Sequence, residues 1–350
     1  MNKQTRQWIF DLDNSRSQVD NLLGSITRMD KDNFPILSGM GGSLLRLNKG
    51  GIQVPHWHVN SAELNYCLSG KAKMTIYGNA QEFTFTLYPG QLTFVPKGYW
   101  HDIENIGDEE IKVIMVFENE QPQDIGVAES VHSLPKEILN SIFGLKSPGL
   151  FDQLGIEESY DEIIQTQQVD QPWNNLANSE NGKNVSNPFT INLGSTEPQV
   201  QTPGGIARLG SNPYFPILSG LSVFVLDLEP RGIIEPHTHP NAGELNYVIE
   251  GKVRFTILGP KGEMETNEMV KGQVFFVPAG YFHYLENSDS SKKGTVASFF
   301  SNENPQFLGL VGGLSSYSNT VLGSMFKKDS DFFDGLPRLV KNVLISANTS

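Results

Sequence analysis

Two short stretches carry residues suited to metal chemistry: Pro55-His56-Trp57-His58-Val59-Asn60-Ser61-Ala62-Glu63 and Pro236-His237-Thr238-His239-Pro240-Asn241-Ala242-Gly243-Glu244. In each, two histidines stand one residue apart, and on an extended strand such residues point to the same face, so both imidazoles can reach one ion. The glutamate five residues further on returns to that face if the chain turns and re-enters as the next strand. Asn60-Ser61 and Asn241-Ala242-Gly243 have the residues for that turn. A third histidine arrives from later in the chain, in Gly90-x5-Pro96-x-Gly98-x2-His101 and Gly272-x5-Pro278-x-Gly280-x2-His283. The expected ligand sets are therefore His56, His58, Glu63 and His101, and His237, His239, Glu244 and His283. Three neutral imidazoles and one carboxylate, without sulfur, suit Mn(II), Fe(II), Ni(II), Cu(II) or Zn(II). Six of the seven histidines occupy these positions, and the seventh, His132, is expected to be structural.

The elements that must hold these ligands are written twice. Asn33-Phe34-Pro35-Ile36-Leu37-Ser38-Gly39 returns as Tyr214-Phe215-Pro216-Ile217-Leu218-Ser219-Gly220, and the same shift of 181 residues carries His56 to His237 and Glu63 to Glu244. A register kept over that distance marks a duplicated domain. Short alternating runs read as strands in the first copy: Gly42 to Leu47, Leu64 to Leu68, Lys71 to Tyr77, Phe83 to Leu87, Leu92 to Val95 and Lys112 to Phe117. Ser222 to Leu228, Leu245 to Ile249, Lys252 to Leu258, Val274 to Val277 and Thr295 to Phe300 repeat them. Many short strands at near-regular spacing predict an all-β fold of two tandem barrels or jelly rolls. Peripheral helices are expected over Pro135 to Phe143 and Thr320 to Phe326, where subunits would meet. The expected layout is an arm over 1–32, a first domain over 33–145, a crossing over 146–187, a second domain over 188–326 and a tail over 327–350. Within it, the crossing is expected to be partly helical around Ser159 to Gln165, anchored by Phe151 and Trp173, and the tail to hold a helix over Leu336 to Leu344.

A chain of 350 residues suits two domains, and 38% apolar with 19% charged residues suits a turn-rich globular protein. The net charge of -13 argues against a nucleic-acid partner, since phosphate contacts need clustered Lys and Arg. No apolar run reaches the roughly 18 residues of a membrane span, so no membrane partner is expected. The chain is expected to be soluble, either cytoplasmic or secreted with a leader already removed. One cysteine, Cys67, allows no internal disulfide and reads as an inert buried thiol.

Gly50-x5-His56-x-His58-x4-Glu63-x6-Gly70 and Gly90-x5-Pro96-x-Gly98-x2-His101-x3-Asn105 resemble the two signature motifs of the cupin superfamily. The second copy repeats them as His237-x-His239-x4-Glu244-x6-Gly251 and Gly272-x5-Pro278-x-Gly280-x2-His283-x3-Asn287. Two germin-like domains in one chain resemble the bicupins, above all the oxalate decarboxylases. The resemblance implies double-stranded β-helix barrels, one manganese ion per domain, a trimer or hexamer, and a small carboxylate substrate handled with dioxygen. It also places a substrate-binding arginine three residues before the first ligand histidine, where this chain has Gln53 and Ile234. The family's lid acid falls in the regions of Glu120 and Glu303, which become candidate catalytic residues. Gln53, Asn65, Tyr99, Asn246 and Tyr281 are the candidate pocket residues, the two asparagines by alternation from the ligand glutamates. Trp57, Thr238, Trp100 and Phe282 are expected to face away. The expected activity is of the oxalate decarboxylase or oxidase type; the alternative is a non-catalytic metal- or ligand-binding protein of the germin or seed-storage type.

Overall fold

The alternating runs fold as antiparallel strands, as period-two burial requires. The computed structural model describes residues 8–146, 149–155, 159–166, 187–338 and 345–347. The chain forms two compact units, one of Arg16–Arg28 and Gly41–Asn192, the other of Met1–Ser15, Met29–Met40 and Leu193–Ser350. The first-copy unit has a seven-stranded and a six-stranded sheet, and so does the second-copy unit, in matching strand order. Each pair of sheets makes a jelly-roll sandwich. In the first unit, Glu63–Ser69 lies between Gln91–Val95 and Ile111–Phe117, while Gly51–His58 pairs with Trp100–Asn105 in the other sheet. In the second, Glu244–Glu250 lies between Gln273–Val277 and Gly294–Phe300, and Gly232–Thr238 pairs with Phe282–Asn287.

Apolar side chains fill the interiors. Leu45, Leu64, Ile76, Ile103 and Val113 are buried in the first unit, and Leu228, Val253, Phe255, Phe275 and Leu285 in the second. The expected helices form as Lys136–Ile142 and Asn319–Phe326, and two further short helices, Val127–Ser133 and Leu310–Ser315, precede them. One expectation is corrected: the residues around Ser159 to Gln165 are not helical. Ile163–Gln165 is a strand paired with Gly51–Gln53, because paired β-branched residues meet an open strand edge there. Trp173 and residues 339–344 of the expected tail helix lie outside the described residues, and 336–338 are not helical. Among the described residues no helix is long and apolar enough to cross a membrane.

The leading strands of the two copies are exchanged. Ile9–Asp11 pairs with Gln273–Val277 of the second-copy unit, whereas its counterpart Thr190–Asn192 pairs with Gln91–Val95 of the first-copy unit. Trp8 enters the second core, its ring 5.7 Å from Tyr281 and 6.3 Å from Phe275, and its indole N–H donates to Glu265 at 2.8 Å. Phe189 takes the corresponding place in the first unit, against Phe83 and Tyr99.

Candidate metal centres

Each ligand cluster is assembled by three strands and a bulge. Pro55 and Pro236 lack the N–H that a ladder needs. The register slips at each: His101 pairs with His56 but Ile103 with Gln53, and His283 pairs with His237 but Leu285 with Ile234. Strict alternation would put residues three apart on opposite faces. The inserted residue re-aims the strand, so that Gln53 and His56 are both buried, as are Ile234 and His237. The glutamates enter from the adjoining sheet, where Glu63 and Glu244 pair with Val95 and Val277.

The structure brings His56, His58, Glu63 and His101 together, and likewise His237, His239, Glu244 and His283, with one ligand atom from each within 4.8 Å of the others. All eight residues are buried. Their tautomers follow from their hydrogen bonds. The Nδ1 atoms of His56, His101, His237, His239 and His283 donate to the carbonyl oxygens of Val54, Tyr99, Glu235, Gln306 and Tyr281 at 2.6 to 3.1 Å. A carbonyl accepts only, so the proton is on Nδ1 and the Nε2 lone pair faces inward. His58 is held by a carboxylate instead, its Nδ1 lying 2.6 Å from Asp124 Oδ1. Asp124 lies 3.8 Å from the Arg28 guanidinium, which also binds Glu162.

Acceptors therefore converge on acceptors. His237 Nε2 and His239 Nε2 are 3.0 Å apart, His283 Nε2 is 2.7 Å from Glu244 Oε2, and His56 Nε2 is buried without a hydrogen-bond partner. Such a set is stable only around protons or a cation, and its donors fit a divalent ion. The charges agree with this picture. Burial, together with the neighbouring imidazoles, lowers His56 to about 3 and His237 well below its ordinary range. Burial opposes ionisation of Glu63 and Glu244, yet the surrounding imidazoles hold both well below the usual carboxylate range. Burial also opposes charge on His58, but hydrogen bonds to Asp124 and Glu63 outweigh it and raise that imidazole to about 9.

The remaining candidates divide. Asn65 Nδ2 donates to Glu63 Oε1 at 2.6 Å, which puts its amide beside the ligands. Asn246 Oδ1 accepts from the Ser298 hydroxyl. Gln53 is buried one register step from His56. Tyr99 and Tyr281 sit in the turns before the His101 and His283 strands, where alternation does not extend, and they pack against Phe189 and Trp8. The Glu303 carboxylate accepts from Gly220 N–H at 2.9 Å and so fastens the 214–220 segment. Glu120 is half-buried in the loop after Ile111–Phe117, a loop stitched to Asn60 through Gln121 and Gln123. Trp57 stacks on half-exposed Trp100, rings 5.3 Å apart. His132 Nδ1 lies 2.8 Å from its own helix carbonyl, Ala128 O. At the second cluster is a cavity lined by His237, His239 and Glu244 together with Ser298 and apolar residues that include Ile234, Leu285 and Phe300. Asp124 carried no local signal, standing 66 residues from the histidine it holds.

Sequence comparison agrees with this architecture: the chain belongs to the cupin family, whose profile matches residues 10–148 and 191–331. Among its relatives is the oxalate decarboxylase OxdC of Bacillus subtilis, 28% identical over 258 residues, a match spanning 73% of this chain and 65% of that protein. A probable oxalate decarboxylase of Arthroderma benhamiae is 26% identical over 297 residues, 82% of this chain and 70% of that protein. A solved Bacillus subtilis oxalate decarboxylase, studied for its Mn(II) centres, shares the fold with a TM-score of 0.85 at 23% identity, covering 98% of this chain and 89% of that one.

Proposed function

We propose that this chain is a manganese-dependent bicupin enzyme of the oxalate decarboxylase type, acting on a small carboxylate with dioxygen as co-reactant. The observation that carries the reading is the pair of buried cages, each bringing together three imidazoles and one carboxylate. The relatives named as oxalate decarboxylases, and the Mn(II) centres of the solved neighbour, support it. Manganese bound there would supply a Lewis acid able to exchange single electrons beside a bound carboxylate. His56, His58, Glu63 and His101 would hold it in the first unit, and His237, His239, Glu244 and His283 in the second. Asp124 orients His58, and the barrel wall excludes water from the acceptor atoms. Glu120 takes the proton-donor role in this proposal, since its loop returns to the residues that follow His58, whereas the Glu303 carboxylate is held by Gly220.

The test is metal analysis of the purified chain followed by assay with oxalate. If oxalate is turned over, formate and carbon dioxide without hydrogen peroxide mark a decarboxylase, and peroxide marks an oxidase. Bound manganese without either product would indicate a germin- or storage-type binding protein, a reading favoured by the lack of any buried lysine or arginine among the described residues. We also propose a homo-trimer or hexamer joined through the helices. Ile142 and Phe143 after the first domain are 69% and 65% exposed, and Met325 and Phe326 after the second are 58% and 52% exposed, large apolar groups that association would cover. Equilibrium sedimentation is expected to show at least three chains, and a monomer would contradict it.

A further inference from the structure

One register step from the ligands, the two copies differ in kind. The first has Gln53 opposite Ile103, and Asn65 opposite Thr93. The second has Ile234 opposite Leu285, and Asn246 opposite Phe275. Gln53, Asn65 and Thr93 are 6%, 0% and 0% exposed, and Gln53 Oε1, Asn65 Oδ1 and Thr93 Oγ1 have no hydrogen-bond partner. Buried polar atoms of this kind call for a partner from outside the chain. The Asn65 amide cannot be reversed without loss, because its Nδ2 donates to Glu63 Oε1, an acceptor only, so Oδ1 is presented as an acceptor. In the second copy the equivalent Asn246 oxygen is already satisfied by Ser298, which leaves its amide Nδ2, a donor, without a partner, and apart from Ser298 and the ligands the cavity wall is aromatic and aliphatic.

Charge narrows the guest further. A divalent ion with Glu63 leaves one net positive charge, which one carboxylate balances. The buried residues offer no lysine or arginine to offset a second. An acceptor at Asn65 Oδ1 would repel a second carboxylate and attract a hydroxyl.

We propose that the first-copy site takes a small monocarboxylic acid bearing a hydroxyl next to its carboxylate. Its hydroxyl lies among all three groups, donating to Asn65 Oδ1 and accepting from the Gln53 amide or the Thr93 hydroxyl. The second-copy site has Ile234 and Phe275 in place of Gln53 and Thr93 and offers no free acceptor at Asn246, so it does not select for a hydroxyl. The inference rests on the metal-dependent reading of the same site and names its substrate class.

Calorimetry and thermal unfolding of the manganese-loaded full chain with glycolate, acetate and oxalate test it. Glycolate is expected to bind at one equivalent per chain about tenfold more tightly than acetate, the size of one good hydrogen bond. That margin is expected to shrink to under threefold in Gln53→Ile and in the near-isosteric Thr93→Val, each checked for unchanged manganese content. Equal binding of glycolate and acetate, or a margin untouched in both variants, overturns the proposal. Oxalate bound more tightly than glycolate, with turnover, overturns it while leaving the enzyme reading intact. Failure of every small carboxylate to bind the loaded protein overturns both.

Discussion

Each ligand histidine is fixed through the nitrogen that does not face the cage, and only at His58 is that partner a charged side chain, Asp124. The consequence is a pH dependence at the first site. His58 without metal is raised to about 9, so between about 6.5 and 9 it holds a proton that an incoming cation must displace. Manganese affinity at that site is expected to rise about tenfold per pH unit through this window and level above it. The raised pKa stabilises the metal-free fold fully below about 6.5, and that contribution is lost as pH rises through about 9. Glu63 has the opposite sign: its lowered pKa stabilises above about 4.5, and the stabilisation is lost on acidification. Asp124→Asn should flatten the affinity slope and weaken binding at pH 9 by about tenfold, measured by calorimetry in a His237→Ala/Glu244→Ala background. An unchanged slope in Asp124→Asn would remove Asp124 from this role.

The strands were legible because one face of each is buried, and period-two alternation records that directly. Ser222–Leu228 and Lys252–Leu258 form at the expected bounds. The ligands were legible because two histidines and a glutamate on one face leave a spacing signature. What escaped is what depends on distant backbone. The bulge at Pro55, which turns Gln53 inward alongside His56, is set by pairing with Trp100–Asn105. Tyr99 stands two residues before His101, but a turn lies between them and its ring meets Phe189. The exchanged leading strands are three residues long, too short for a periodic signal. Their contribution is nevertheless large. Trp8 is 4% exposed within the second core, so Trp8→Ala is expected to destabilise the second-copy unit by about 3–5 kcal/mol. Urea unfolding should show this loss while the first site keeps its manganese. An unchanged midpoint would mean that the arm adds no stability.

At the scale of the whole chain, duplication supplies two cages with the same donors and different surroundings, Gln53 and Thr93 beside the first where Ile234 and Phe275 stand beside the second. On the proposed reading, such divergence would let the first copy select a polar guest that the second does not. Every step of that division presupposes a cation in each cage. Manganese content per chain, measured after saturation and desalting for the unaltered protein and for His56→Ala/Glu63→Ala and His237→Ala/Glu244→Ala, tests this most directly. The account predicts about two equivalents, falling to about one in either variant, in keeping with the two ligand groups. Unaltered protein that retains none at saturating manganese, or variants that keep both equivalents, would contradict it.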